Sequence, residues 1–417
     1  MKKVNTILVI ILFVMAGCTG CKQSGVESND FITVDVTADY PKKELVLQDF
    51  LDVEYIPLES SDEFITAGYV QAIGKNILLV RNTNQAGGGN IFFFDRNGKG
   101  LRKINRRGQS GEEYINITGL ITLDESNGEM FVHCGVSRDV LVYDLSGNFK
   151  RSFKYMDRAD KSGRFKYIYY DPVYSFDRDH LIVQDFFSGR DFSGTEEGNR
   201  DMESRNIFWI ISKRDGSVTR EIKIPFEKKI FQVVFSASGG VGMVENPGLI
   251  PYRDGCILVE PSADTIYRYS ADHNMTPFIV RTPSVQSMNP EVFLFPGVIT
   301  ERYCFMQTIK KEYDKTESRG YMPRTDLVYD RQEKKIFKYT VYNDDFTNER
   351  PIKNLVDAIL KLTVVNNEEI AFMEKIEADE LVEAYEKGQL KGRLKEIAAQ
   401  LNEDSNPVIM LAKYRKQ

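Results

Sequence analysis

The chain has 417 residues, of which 55 are Lys or Arg and 61 are Asp or Glu, so its formal net charge is −6. A mildly acidic chain without a basic run is a poor candidate for binding nucleic acid, whose phosphates attract clustered Lys and Arg. The length is sufficient for a large core and fits either two or three domains or one array of repeats.

The N-terminus has the pattern of a bacterial export signal. Basic residues 2–3 precede the apolar run 7–15, and small residues that resemble the bacterial lipobox come directly before Cys18. As a helix, that run would span about 14 Å of a bilayer core roughly 30 Å thick, which favours a cleaved signal over a retained transmembrane anchor. The sequence therefore predicts a signal peptide at 1–17, lipid attachment at Cys18 and a polar tether at 18–30.

The same segment predicts where the protein resides. No acidic pair follows Cys18 directly, and such pairs resemble the surface-export signals of some Gram-negative lipoproteins. We therefore expect an exported, membrane-anchored lipoprotein, located in the outer membrane and facing the periplasm.

A repeated unit follows the tether. The unit is a short apolar run, a polar turn and a second run that mixes basic and apolar residues, as in 90–104, where Asn97-Gly98 forms the turn. Asn-Gly and Asp-Gly turns favour tight hairpins, and further short apolar runs before each hairpin give about four strands per unit. Successive units are roughly 50–70 residues apart, which matches a propeller blade with long loops. The other four units lie at 139–153, 206–224, 265–280 and 326–339.

The two ends of the repeat region predict a sixth unit. Apolar runs at 369–374 and 407–412 form the C-terminal part, and 31–36 forms an N-terminal strand. Pairing of 31–36 with 407–412 would close the ring and remove an open sheet edge. Helical spacing of apolar residues predicts an insertion at about 378–402 in this all-β domain, which spans 31–417.

Four segments spread over nearly the whole chain after the tether carry a family resemblance: Tyr55–Glu59, Phe94–Lys99, Asn105–Tyr114 and Asn406-Pro407 with Lys413. They resemble motifs of the six-bladed β-propeller lipoproteins of Gram-negative gut anaerobes, which are relatives of the NHL-repeat propellers. Ser110-Gly111-Glu112 stands where Gly-Pro-Gly is common in that family. The resemblance implies a six-bladed β-propeller and no particular chemistry.

The Gly-rich loop between the first two units is the candidate binding loop. It lacks the phosphate-binding pattern Gly-x-x-x-x-Gly-Lys-Ser/Thr and does not join a strand to a helix. The pattern favours a structural connection in which Arg106 or Arg107 pairs with Glu112 or Glu113, and a binding role is the alternative. The candidate binding residues are Arg106, Arg107, Gln109 and Tyr114.

No set of residues in the sequence predicts catalysis. The three histidines have no second ligand at metal spacing, and no nucleophile–base pair is recognisable. Cys134, Cys256 and Cys304 lie in β-like runs and are expected to be buried thiols rather than a disulfide framework. Asp344-Asp345 and Glu368-Glu369 are paired carboxylates of a kind that could serve acid–base chemistry. Carboxylates in loops are usually exposed to solvent, which makes a catalytic role the weaker interpretation. We therefore expect no catalytic residues, no metal and no cofactor.

The functional hypothesis is an exported, lipid-anchored β-propeller that acts as a non-catalytic binding or scaffold protein of the cell envelope. Its expected partners are the membrane, through the lipid anchor, and an envelope protein or a glycan, but no nucleic acid. The alternative hypothesis is a propeller hydrolase or lyase that uses channel-facing carboxylates on a glycan or an ester.

Overall fold

The computed structural model describes residues 31–82, 89–117, 119, 121–135, 137–156, 170–185, 207–244, 246, 248–317, 321–352, 355–356 and 369–415. The signal peptide, Cys18 and the tether lie outside these residues. The N-terminal elements are β1 (Ile32–Asp35), β2 (Lys42–Val46), α1 (Leu47–Phe50) and β3 (Leu51–Pro57).

The first three blades are four-stranded antiparallel sheets whose strands are paired in chain order. Blade 1 contains β4 (Tyr69–Ile73), β5 (Ile77–Arg81), β6 (Asn90–Asp95) and β7 (Gly100–Asn105). Blade 2 contains β8 (Thr122–Asp124), β9 (Glu129–Cys134), β10 (Asp139–Asp144) and β11 (Phe149–Lys154). Blade 3 contains β12 (Tyr170–Ser175), β13 (His180–Asp185), β14 (Phe208–Ser212) and β15 (Val218–Ile222).

A separate two-stranded hairpin, β16 (Val233–Phe235) and β17 (Val241–Met243), stands between blades 3 and 4 in the chain. Blade 4 contains β18 (Leu249–Tyr252), β19 (Gly255–Leu258), β20 (Thr265–Ser270) and β21 (Met275–Thr282). Blade 5 contains β22 (Val292–Ile299), β23 (Tyr303–Lys310), β24 (Arg324–Asp330) and β25 (Lys335–Tyr342). Blade 6 contains β26 (Ile370–Ile376) and β27 (Val408–Tyr414), with β3 beside β27.

The burial of each strand follows its place in the blade. In blade 2, every residue of β9 is buried because neighbouring blades cover both faces of the sheet. The fourth strands are half exposed, and β7 alternates partly buried with exposed residues along its length. The sequence therefore reads as continuous apolar runs inside each blade and as mixed runs at its outer edge.

The two ends of the chain close the ring, as the sequence predicts, but with a different N-terminal strand. β27 pairs with β3, and Ala412 lies opposite Val53. The expected pairing of residues 31–36 with 407–412 is wrong, because β1 instead pairs in parallel with β21 of blade 4. β3, which directly precedes β4 of blade 1 in the chain, is the N-terminal strand that completes blade 6.

The N-terminal strands also cover the outer edges of two other blades. β1 lies beside β21, and β2 pairs in parallel with β25 of blade 5. Before it enters blade 6, the N-terminal segment therefore adds a fifth strand to each of blades 4 and 5.

The predicted helical insertion is confirmed. Between β26 and β27 lie α2 (Ala378–Glu386) and α3 (Gly392–Ala398). Leu381, Leu394 and Ile397 are buried, and they pack in the same core as the strands of blades 4, 5 and 6. Within the described ranges, no helix has the length and apolar character needed to cross a membrane.

Candidate functional site

The loop that follows β7 connects blades 1 and 2 and is held by hydrogen bonds to both. Tyr114 is fully buried, and its hydroxyl donates to the Gly89 carbonyl at 2.6 Å and accepts from the Arg106 backbone N–H at 2.9 Å. The Arg106 guanidinium donates to the Gly147 carbonyl at 3.0 Å. The loop is thereby tied to both blades, and of the four candidate residues only Arg106, Arg107 and Gln109 are exposed.

The acidic end of this loop is closed by local hydrogen bonds. Glu113 accepts from the Ser110 backbone N–H at 3.0 Å, and this bond contributes most to holding the pKa of Glu113 below its usual value. The positive charge of Arg106 contributes in the same direction. The interaction of an arginine with Glu113, which the sequence predicts, is therefore present but is secondary to the turn itself.

The paired carboxylates are also engaged within the fold. Asp345 accepts from the Tyr55 hydroxyl at 2.8 Å and from the Gln48 amide at 2.9 Å, and Asp344 accepts from Lys391 at 2.9 Å. Burial raises the pKa of the Tyr55 hydroxyl, which keeps it a hydrogen-bond donor. These contacts join the loop after β25 to β3 and to the helical insertion.

Of the second carboxylate pair, Glu368-Glu369, the structure describes only Glu369. Glu369 forms ion pairs with Lys413 at 2.8 Å and with Arg96 at 3.3 Å, and Glu368 lies outside the described residues. Within the described part of the chain, no group of three or more His, Cys, Asp or Glu side chains is arranged to hold a metal ion.

The three predicted buried thiols are confirmed. Cys134, Cys256 and Cys304 are buried and free. Burial raises the pKa of the Cys304 thiol to about 12 and raises that of Cys256 as well. These two thiols are therefore protonated at neutral pH and inert as nucleophiles.

The segment between blades 3 and 4 forms a different kind of surface. We call residues 226–244 together with Asn246 the cap segment. Its first anchor is a fully buried ion pair, in which Lys229 Nζ lies 2.7 Å from Glu260 Oε2 and both side chains are 1% exposed. The Ile230 N–H donates to Ser262 Oγ at 2.9 Å, and Glu260 accepts from the Ser262 N–H. The start of the cap segment is thereby fixed to the loop between β19 and β20.

The second anchor is a polar network with blade 5. The Arg324 guanidinium donates to the Asn246 side-chain oxygen at 3.0 Å and to Gln307 at 2.9 Å. Gln307 is fully buried and donates to Asp326 at 2.7 Å. Since fully paired buried polar networks rigidify the groups they join, both ends of the cap segment are held in place.

Between these anchors, the cap segment exposes apolar side chains. Phe235 is 50% exposed and Val241 is 38% exposed, and the two lie directly opposite each other in the β16–β17 hairpin. Gly240 lies against Tyr313, whose ring stacks on that of Tyr321 at a centroid distance of 5.6 Å. We call this set of four side chains, Phe235, Val241, Tyr313 and Tyr321, the apolar patch.

Tyr321 has a strained backbone within this patch. Its φ is +55°, a conformation that bulky L-residues rarely adopt, and its side chain is 46% exposed. Its carbonyl accepts from the Asp314 N–H at 2.8 Å, which holds the loop in that conformation. Strained residues cluster at functional sites, so the conformation of Tyr321 makes the apolar patch a candidate site.

Sequence reasoning missed this site, although a signal for it was present. Residues 230–244 contain no Asp, Glu, Lys or Arg, in a chain of which 28% is charged. An exposed segment without charged residues is typical of an interaction surface.

With this geometry in view, comparison with known proteins identifies the family. The model of a domain of unknown function, DUF4934, matches residues 31–282, which is more than half of the chain. The chain belongs to the DUF4934 family. No curated protein matches the sequence.

Two solved structures are similar to this DUF4934 protein. One is a Bacteroides fragilis NCTC 9343 protein whose description is that of an exported protein, with a TM-score of 0.52, 13% identity, and coverage of 90% of this chain and 99% of that one. The other is a DUF4221-family protein of Bacteroides vulgatus ATCC 8482, with a TM-score of 0.48, 11% identity, and coverage of 89% and 99%. At 13% identity, the similarity to the Bacteroides fragilis protein shows the fold alone.

Proposed function

We propose that this DUF4934 protein is an exported, lipid-anchored propeller of the cell envelope, related to the NHL-type propellers. In this proposal the chain is cleaved after residue 17, Cys18 carries the lipid, residues 18–30 are the tether and 31–417 is the propeller. The export pattern of the first 18 residues supports the proposal, as does the fold shared with a protein described as exported. The proposed location is the outer membrane, facing the periplasm.

The anchor is tested by replacing its cysteine. Cys18→Ser removes the only sulfur to which the lipid would be attached at this position, so the variant should leave the membrane fraction and lose labelled acyl chains. Cys21→Ser, three residues later, is the matched control and should remain lipidated. Acyl labelling retained in Cys18→Ser would contradict the proposed anchor.

We propose that the molecular role is non-catalytic binding, and the apolar patch carries this proposal. Exposed apolar side chains on a soluble surface mark interaction sites when they are contiguous. Here Phe235 and Val241 lie side by side on a segment that is fixed at both ends by buried polar contacts, and Tyr321 stacks on Tyr313 beside the turn of the hairpin. Because this segment is already ordered, it loses little conformational entropy when a partner binds. The absence of charge across 230–244 favours a protein partner of the envelope over a charged ligand.

Photo-crosslinking in intact cells tests the binding role. A photoreactive phenylalanine analogue in place of Tyr321 should yield one defined crosslinked species. The same analogue in place of Tyr385, which is 39% exposed on α2, is the matched control and should yield none. Equal products from both positions would contradict the patch as the binding surface. Turnover of a glycan or ester library by the purified chain would favour the enzyme hypothesis instead.

A further inference from the structure

The outer strands of blades 1 and 2, with the residues that flank them, are strongly basic. Residues 99–111 contain five Lys or Arg and no Asp or Glu, and residues 149–156 contain three and none, in a chain whose net charge is −6. The two segments meet in the fold, because Arg106 donates to the Gly147 carbonyl at 3.0 Å and an added Cβ at Gly147 would meet Ile104 at 2.9 Å. The positive charge is therefore concentrated at one side of the ring.

Strand alternation sorts these cations into exposed and half-buried ones. Lys99 and Lys103 are exposed, whereas the residues on either side of Lys103 are half-buried. At roughly 3.3 Å per residue, Lys99 and Lys103 lie about 13 Å apart along the chain. Arg107 is also exposed and follows Lys103 by the same number of residues as Lys103 follows Lys99. We call Lys99, Lys103, Arg106 and Arg107 the basic row.

Acidic side chains beside the basic row are bound to backbone groups rather than to the cations. Glu59 accepts from the first N–H of β7 at 2.9 Å, and Glu113 accepts from the Ser110 N–H at 3.0 Å. The adjoining loops also contain Asp62, Glu63 and Glu112. Across the described ranges, no member of the basic row forms an ion pair with a carboxylate. The four cations are therefore available to the anionic groups of another molecule.

We propose that the basic row binds an acidic polysaccharide, a glycan whose repeating units carry carboxylates. A guanidinium donates two parallel hydrogen bonds to one carboxylate, which suits Arg106 and Arg107 to this ligand. Evenly spaced cations along an extended strand match a polymer whose charges repeat at even intervals. Leu101, which is 45% exposed between Lys99 and Lys103, provides an apolar contact for a sugar ring.

The basic row lies apart from the other proposed contacts of the molecule. Blade 1 is opposite blade 4 in a ring of six, and β1, which begins the chain of the ring, lies beside β21 of blade 4. This separation favours a polyanion other than the anchoring membrane. The apolar patch is attached to blades 4 and 5, so the basic row is a second site and goes beyond the proposed binding role of the patch.

Isothermal titration calorimetry of the full exported chain in detergent, with galacturonate oligomers as the ligand, tests the inference. The wild type should bind, and methyl esterification of the oligomer, which removes its charges, should abolish binding. Arg107→Glu should raise the dissociation constant by about tenfold or more, because a charge-assisted contact is lost. Arg220→Glu is the matched control, the same charge change at an exposed arginine of β15, and should bind like the wild type. Unchanged melting temperatures should confirm that both variants are folded.

Three outcomes would overturn the inference. The first is no binding of the wild type to oligomers of either galacturonate or guluronate at about 1 mM. The second is equal weakening by Arg107→Glu and Arg220→Glu, which would indicate attraction to net charge alone. The third is tighter, Arg107-dependent binding of polyglutamate or of phosphatidylglycerol vesicles, which would make an acidic protein or a membrane the occupant. The Tyr321 crosslink tests the apolar patch separately from all three.

Discussion

At the scale of single residues, burial sets the protonation state of His133. His133 on β9 is 1% exposed, and burial lowers its pKa from 6.5 to about 4. Burial disfavours the charged imidazolium, so His133 favours the neutral form. His133 is therefore neutral at pH 7, and acid that would protonate it destabilises the folded state.

The pKa of His133 makes stability depend on pH. Between pH 6.5 and 4, His133 is protonated in the unfolded chain but neutral in the folded chain. The free energy of unfolding therefore falls as the pH falls. The full loss is about 3 kcal/mol. His133→Gln, measured by urea unfolding at several pH values, should show a smaller slope in this window.

The matched control for this experiment is His180→Gln. His180 is partly exposed at the start of β13, and this variant retains His133. It should therefore keep the part of the slope that His133 produces. A slope in His133→Gln equal to that of the wild type would contradict the assigned pKa.

At the scale of the element, glycines in the hairpin turns explain why the repeated unit could be recognised in the sequence. Gly98, Gly147 and Gly216 have φ values of +85°, +89° and +72° between the third and fourth strands of blades 1–3. Only glycine adopts this conformation at low cost, which is why the sequence shows Asn-Gly, Ser-Gly and Asp-Gly there. In blades 4 and 5, His273 and Lys334 take positive φ at the corresponding turns. The turn signal was therefore weaker in those two units.

Gly98 also makes a contact between blades, and this leads to a prediction. An added Cβ would overlap the carbonyl oxygen of Pro57 at the end of β3. Gly128 has a similar φ of +63° with nothing within 4 Å of an added Cβ. Gly128→Ala should therefore cost about 1–2 kcal/mol from backbone strain alone, and Gly98→Ala about 3–5 kcal/mol. Urea unfolding of both variants provides the comparison, and equal losses would show that the contact with Pro57 is absent.

Local patterns predicted the blades, the helical insertion and the buried thiols, because each depends on residues close in the chain. They did not predict that β1 pairs with β21, because several apolar N-terminal strands were compatible with ring closure. The binding role of Arg106, Arg107 and Gln109 in the loop after β7 stays a prediction, and all three are exposed. The burial of Tyr114 under that loop depends on Gly89 and on Tyr143, which belong to two blades and could not be paired from sequence.

At the scale of the whole molecule, the N-terminal segment organises half of the ring. It covers blade 4 with β1 and blade 5 with β2, and then completes blade 6 with β3. The cap segment is fixed to the same region, through Glu260 in blade 4 and Gln307 in blade 5. The proposed binding surface is therefore attached to the two blades that carry a fifth strand.

The central claim of this account is that β27 and β3 close the ring, with Ala412 directly opposite Val53. Cysteines at both positions, Val53→Cys with Ala412→Cys, lie within reach of a disulfide, because directly opposite side chains share one face of the sheet. A shift of one residue points the side chain to the other face, so Val53→Cys with Leu411→Cys is the matched control. Mass spectrometry of the oxidised chains should find the 53–412 bond and no 53–411 bond. Absence of the 53–412 bond, or formation of both bonds equally, would contradict closure in this register.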